Sequence, residues 1–209
     1  MATTASTRRQ TIPSGSVRAK KIPESLIYET IDGKPFYRKG YRDVVAGKKT
    51  LEEIMGASTL QSIIVYYLTV FIGKFIDEDQ FFVLVSEPGV HIDHRSNLSN
   101  DVAIYSQAVL PPSSISKKYA DVPPRIAIEV DINIDAADTS ETSYIYRKTR
   151  KLLNFGVEKV IWVLTDARVV IVATNDLIET IDWSRDIELM DGQQFNVGAY
   201  LQKRGITVE

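Results

Sequence analysis

Three carboxylates and one lysine in this chain occupy positions from which side chains of their type can hold a hard divalent cation and activate water: Asp101, Glu129, Asp131 and Lys148. Residues 125–132 alternate strictly, with Ile126, Ile128, Val130 and Ile132 on one face of a strand and Ala127, Glu129 and Asp131 on the other. Carboxylates are rarely buried unless paired or metal-bound, and two on one face raise each other's pKa. A polar face wetted by solvent, as on an antiparallel or edge sheet, is the competing reading. The apolar run Val160-Ile161-Trp162-Val163-Leu164 favours a covered sheet. Asp101 directly precedes Val102-Ala103-Ile104, where it can converge with a carboxylate on an adjacent strand or serve as a turn residue after residues 97–100.

Lys148 falls three residues after Ile145 and four before Leu152, on the apolar stripe of a helix, whereas Arg147, Arg150 and Lys151 lie toward the other side. A lysine on that stripe either snorkels to solvent or meets an anion. The carboxylates of the preceding strand are the obvious anions.

The elements that position these residues are readable in outline. Residues 26–31 lead into the turn Asp32-Gly33-Lys34-Pro35. Thr50 as N-cap, with Glu52 and Glu53 in the first turn, predicts a long helix to about Phe75. Strands are expected at 81–85, with a short extension at 90–92, and at 101–105, 125–132, 160–164 and 169–173. Ser140 and Ser143 open the lysine helix, and Gly156 ends it at a position suited to a left-handed residue. Strand, helix and strand over residues 125–164 form a βαβ unit and hence a parallel pair. Further strands are expected near 177–183 and 187–189, with a closing segment at 195–201.

The chain has 209 residues, 44% hydrophobic and 25% charged, which fits one globular domain. Residues 1–23 are expected to form a flexible arm and 24–209 the domain. Without cysteine there is no disulfide framework, thiolate zinc site or cysteine nucleophile. The early residues lack an apolar segment of secretory length, and the stretch 63–72 is too short for a bilayer span, so a cytoplasmic protein without membrane contact is expected. A formal charge of -2 argues against a surface coated in positive potential, yet paired Arg and Lys residues recur along the chain and keep nucleic acid open as a ligand. Gly47-Lys48-Lys49-Thr50 lacks the upstream glycine of a P-loop, and no Gly-x-Ser-x-Gly elbow occurs. His91 and His94, the only histidines, read as a surface turn.

From about Ile22 onward the chain resembles the Uma-two family of restriction-endonuclease-like proteins within the PD-(D/E)XK superfamily. The resemblance rests on Tyr28-Glu29-Thr30-Ile31-Asp32-Gly33, Asp101-Val102, Ile128-Glu129-Val130, Lys148, Phe155-Gly156-Val157 and Ile161-Trp162-Val163 in that order. It implies an α/β fold with a restriction-endonuclease-like core, a mixed β-sheet flanked by helices. It also implies Mg²⁺-dependent cleavage of DNA, with Mn²⁺ able to substitute. In that scheme Asp101, Glu129 and Lys148 are catalytic, and Asp101, Glu129 and the backbone carbonyl of Val130 hold the metal. Glu29 is carried over as an outer-sphere metal contact, and Asp131, by its place on the Glu129 strand face, is an additional candidate ligand. The sequence departs from the family at Asn100, where the family has proline, and at Tyr144, where it has aspartate. Asp131 stands where the wider superfamily has lysine, so the cation is expected from Lys148. A fold that binds nucleic acid or regulates without cutting is the alternative, and an interaction protein with a solvated acidic face is a third. A homodimer is left open.

Overall fold

The computed structural model describes residues 22–135 and 139–208, so the expected arm lies almost wholly outside the described residues. A hairpin of β1 (Ile27–Ile31) and β2 (Lys34–Tyr37) turns at Asp32 and Gly33, both at positive φ. The short helix α1 (Tyr41–Val45) follows, then α2 (Thr59–Ile72), β3 (Phe81–Val85), β4 (Gly89–Asp93), β5 (Ser96–Ser99), β6 (Val102–Ser106) and β7 (Ile126–Val130). Next come α3 (Glu141–Phe155), β8 (Lys159–Leu164), β9 (Val169–Ala173), β10 (Ile178–Asp182), β11 (Ile187–Met190), β12 (Gln193–Phe195) and α4 (Val197–Lys203).

Six strands form the central sheet in the order β10-β9-β8-β7-β6-β3. β7 and β8 pair in parallel across α3, and the other neighbours pair antiparallel, so the sheet is mixed and contains the expected βαβ unit. β7 is buried along its whole length because both sheet faces are covered. Ile126, Ile128 and Val130 pack with Ile64, Leu68 and Ile72 of α2. Ala127 packs on the opposite side with Tyr144, Leu152 and Leu153 of α3. A second sheet, ordered β2-β1-β5-β4, adds Ile31, Phe36 and Leu98 to the α3 side. The lysine helix is therefore packed against strands of both sheets.

α3 begins and ends as its sequence predicts. Ser140 Oγ accepts a hydrogen bond from the Ser143 N–H at 3.1 Å, and Gly156 terminates the helix at φ 118°. α2 differs from expectation, starting at Thr59 with the Ser58 hydroxyl as its cap instead of at Thr50. The Thr50 N–H donates to Glu53 Oε2 at 2.6 Å beside a separate 3₁₀ turn, Glu52–Ile54, and Gly56 intervenes, a poor helix former. Residues 97–100, expected as a turn, mostly form β5, which pairs with β1 and β4.

Asp131 also departs from the alternation. β7 stops at Val130, and Asp131 takes φ 63°, a left-handed conformation that breaks the period of two. It does not continue the Glu129 face. Ile132, likewise beyond the strand, packs with the α3-side cluster and not with the α2-side isoleucines.

Candidate active site

The site is assembled by three elements that meet at Lys148. α3 points this side chain inward on the face it shares with Tyr144 and Leu152, and none of it reaches solvent. Its Nζ lies 3.0 Å from Glu129 Oε1 on β7 and 3.0 Å from Glu29 Oε2 on β1. These are close, buried ion pairs. The ammonium also lies 5.6 Å from the centre of the Trp162 ring and 5.9 Å from those of Tyr28 and Tyr144, within reach of cation–π attraction. Burial alone would pull this lysine's pKa down, but Glu129 and Glu29 outweigh it and hold the group above the usual lysine range.

Tyr144, where the resemblance leads one to expect aspartate, is buried and donates its hydroxyl to Glu29 Oε1 at 2.6 Å. Burial, reinforced by Glu29 and Glu129, raises its pKa and keeps it a donor. The substitution thus replaces an acid by a neutral donor and spares the pocket a further negative charge. Trp162 is fixed in turn by donating its indole N–H to Thr149 Oγ1 at 2.9 Å.

Asp101 reaches the site from the head of β6. The pairing of Val102 with Ile128 makes Asp101 the cross-strand neighbour of Glu129. Its N–H donates to the Ile128 carbonyl at 3.1 Å, and its Oδ2 accepts the Val130 N–H at 2.6 Å. The carboxylate thus stands in for the next backbone acceptor of a strand that has ended. Because N–H and C=O of one strand residue point to the same side, the Val130 carbonyl also faces Asp101. Gln61 Nε2 approaches Oδ1 at 3.4 Å. Burial pushes the Asp101 carboxyl up to about 6 against the lowering effect of the Val130 N–H and Lys148. Burial pushes Glu129 well above the usual carboxylate range despite Lys148, and Asp101 and Glu29 add to the rise.

Asp131 is occupied elsewhere. Its carboxylate accepts the Thr165 N–H at 2.7 Å and the Thr165 hydroxyl at 2.9 Å, tying the end of β7 to the end of β8. His91 lies within β4 and not in a turn, its Nδ1 2.6 Å from Asn97 Oδ1 across the β4–β5 hairpin, and only His94 falls in the turn that joins the two strands.

A groove of about 1040 Å³ opens beside this cluster, with Tyr28, Arg38, Gln61, Asp101 and Asp131 among its walls. Asp101 is the one expected catalytic residue that lines it. Glu29, Glu129 and Lys148 are buried behind, and Tyr28 belongs to both the groove and the ring of aromatics around the ammonium. The register of β1 shifts between Ile27 and Glu29, a bulge that re-aims Tyr28 between its neighbours. Sequence marks Tyr28 only as part of the segment that carries the resemblance and Arg38 only as one of the paired basic residues, with no site role for either, and it does not mark Gln61. Gln61 carries a legible signal, since it shares the spacing of Ile64, Leu68 and Ile72 on the buried face of α2 and is itself buried. A buried glutamine on such a stripe needs a polar partner, and Asp101 is that partner.

Oxygen-only donors, two carboxylates with a backbone carbonyl beside them, suit Mg²⁺, which commonly takes one or two carboxylates and keeps several waters. Among the described residues no group of three or more His, Cys, Asp or Glu side chains could hold a metal ion. One ammonium pairs with the carboxylates of Glu29 and Glu129, Asp101 lies beside them, and burial is the main cause of the raised pKa values of Asp101 and Glu129.

No family model matches the chain, and no curated protein matches it. The fold is nonetheless shared with a solved protein. The chain superposes with a TM-score of 0.61 on the crystal structure of "a putative nuclease belonging to DUF820 from Anabaena variabilis ATCC 29413", at 13% identity, over 83% of this chain and 89% of that one. The architecture is thus a mixed α/β, nuclease-like fold. Among the described residues no helix is long and apolar enough to cross a membrane.

Proposed function

We propose that this protein is a metal-dependent DNA endonuclease of the PD-(D/E)XK type, with Asp101, Glu129 and Lys148 as its catalytic residues. The observation that supports this most is geometric: one buried ammonium held between the carboxylates of Glu29 and Glu129, with the Asp101 carboxylate beside them at the groove wall. Asp101, Glu129 and the Val130 carbonyl would hold Mg²⁺ or Mn²⁺, which supplies polarisation of the scissile phosphate and a more acidic bound water. Lys148 keeps Glu129 in place and sets a fixed positive charge where anionic charge builds during phosphodiester hydrolysis. Glu29, held by the Tyr144 hydroxyl, positions Lys148 from the other side. Asp131 is assigned to the fold through Thr165 and not to the metal.

The enclosure of Lys148 and Glu129 favours a second reading, a nuclease-fold protein that binds nucleic acid or regulates without cutting. Nicking of supercoiled plasmid by the full-length chain with Mg²⁺ or Mn²⁺ separates the two. Cleavage that Glu129→Gln abolishes, with circular dichroism unchanged, supports the nuclease. A wild-type chain inactive on single-stranded, duplex and branched DNA with both metals transfers the assignment to the binding module.

A further inference from the structure

Arg38 follows β2, where its N–H donates to the Leu26 carbonyl at 2.9 Å and its backbone bridges to Ile134. The main chain beneath the side chain is therefore fixed from two sides. The guanidinium Cζ stacks 5.3 Å from the centre of the Tyr28 ring, the same ring that lies 5.9 Å from Lys148 Nζ. Arg38 forms no ion pair among the described residues, and its buried Nε has no hydrogen-bond partner. Three other charged groups of the groove are engaged: Lys49 pairs with Asp43 at 3.9 Å, Glu53 accepts the Thr50 N–H, and Asp131 is bound by Thr165, while the remaining groove cation, Lys39, is exposed and lacks the planar fork of a guanidinium.

The groove wall thus carries a planar, always-charged donor held by an aromatic face and left without an internal anion. A guanidinium of this kind matches the oxygens of a phosphate in geometry and charge. Resting on the nuclease reading, we infer that Arg38 binds a backbone phosphate of the DNA strand that occupies the groove shared with Asp101. The groove wall contains more carboxylates than basic residues. General positive potential therefore does not draw DNA in, and each specific cation contact weighs heavily.

Fluorescence anisotropy with a labelled DNA duplex and its separate strand, in Ca²⁺ to limit cleavage and over a series of salt concentrations, tests this contact. Arg38→Ala should weaken binding several-fold and reduce the slope of log K against log salt by about 1, the value for one lost phosphate contact. Arg38→Lys, which keeps the charge but loses the planar fork, should restore the slope and recover part of the affinity. Arg147→Ala, on the outer side of α3, should behave as wild type. Circular dichroism checks the fold of each variant, and Arg38→Lys carries the test if Arg38→Ala unfolds. Wild-type affinity and slope in folded Arg38→Ala, or no DNA binding by the wild-type chain, overturns the inference. Arg38-dependent binding without any cleavage would leave it standing while removing the nuclease reading, and cleavage with Arg38-independent binding would do the reverse.

Discussion

Lys148 Nζ and Glu129 Oε1 lie 3.0 Å apart inside the protein, with side-chain exposures of 0% and 4%. Water contributes almost nothing to the solvation of either charge, so each depends on the other and on Glu29 at the same distance from the ammonium.

That dependence sets the outcome of Lys148→Met. Sequence position alone suggests that methionine would be tolerated, because it preserves the aliphatic stem on an apolar stripe. The ion pairs reverse that expectation: removing the ammonium leaves two buried carboxylates without a counter-charge, a loss of roughly 3–5 kcal/mol at neutral pH. The loss depends on pH in a definite direction. Glu129 already lies well above the ordinary carboxylate value of about 4.3, and without the lowering effect of Lys148 it rises further, so stability is retained below that ordinary value and lost as pH rises through the folded-state one. Urea denaturation at about pH 5 and about pH 8 should show a deficit that widens with pH. Equal stability of mutant and wild type at both would show that the ion pairs carry no net weight.

Much of this arrangement is legible in the sequence, for reasons that differ between elements. α3 announces itself through the Ser140 cap, the apolar stripe and Gly156, all local signals, and its parallel connection follows from the strand on either side. Glu129 and Lys148 are legible because charged residues on buried faces need partners. Glu29 is different: nothing local to β1 says that it will face α3, and only the resemblance marks it. α2 is misplaced at its start because Thr50 and the following acids mimic a helix cap while forming a separate turn. Asp131 lies off the expected strand face because strict alternation carries no information about where a strand stops. Arg38 is legible in sequence only as one of several paired basic residues compatible with nucleic acid; what sets it apart, a ring from another strand and the absence of an ion-pair partner among the described residues, is not.

For Asp131 the geometry predicts a structural phenotype without a metal phenotype. Asp131→Ala removes both hydrogen bonds to Thr165 and places an alanine at φ 63°, where a non-glycine side chain is strained and the aspartate's local hydrogen bonding is gone. A destabilisation of about 2 kcal/mol is expected. Asp131→Asn, which tolerates that conformation and retains one acceptor oxygen, should lose less. Thermal melting with and without Mn²⁺ checks the assignment, since both variants should keep the wild-type metal response. Its loss in Asp131→Asn would restore Asp131 as a ligand.

The last prediction concerns Asp101, where proton and metal compete for one carboxylate. Its folded-state pKa of about 6 lies above the ordinary 3.8, so its contribution to stability is fully present below pH 3.8 and lost as pH rises through about 6. The metal-free protein should therefore weaken toward alkaline pH by an amount on the order of 3 kcal/mol from this group. A divalent ion that binds only the folded state acts in the opposite sense, contributing roughly 2.7 kcal/mol at a hundredfold excess over Kd. Because the ion needs the deprotonated carboxylate, its stabilising effect should be small at about pH 5 and grow toward about pH 8. Asp101→Asn should flatten both dependences while preserving the fold, since the amide oxygen can still accept the Val130 N–H. Melting curves over a Mn²⁺ titration at the two pH values, on wild type, Asp101→Asn and the exposed control Asp176→Asn, read both effects together. A metal response that is the same in all three proteins would exclude Asp101 as a ligand, whereas one lost only in Asp101→Asn would assign it to the ion.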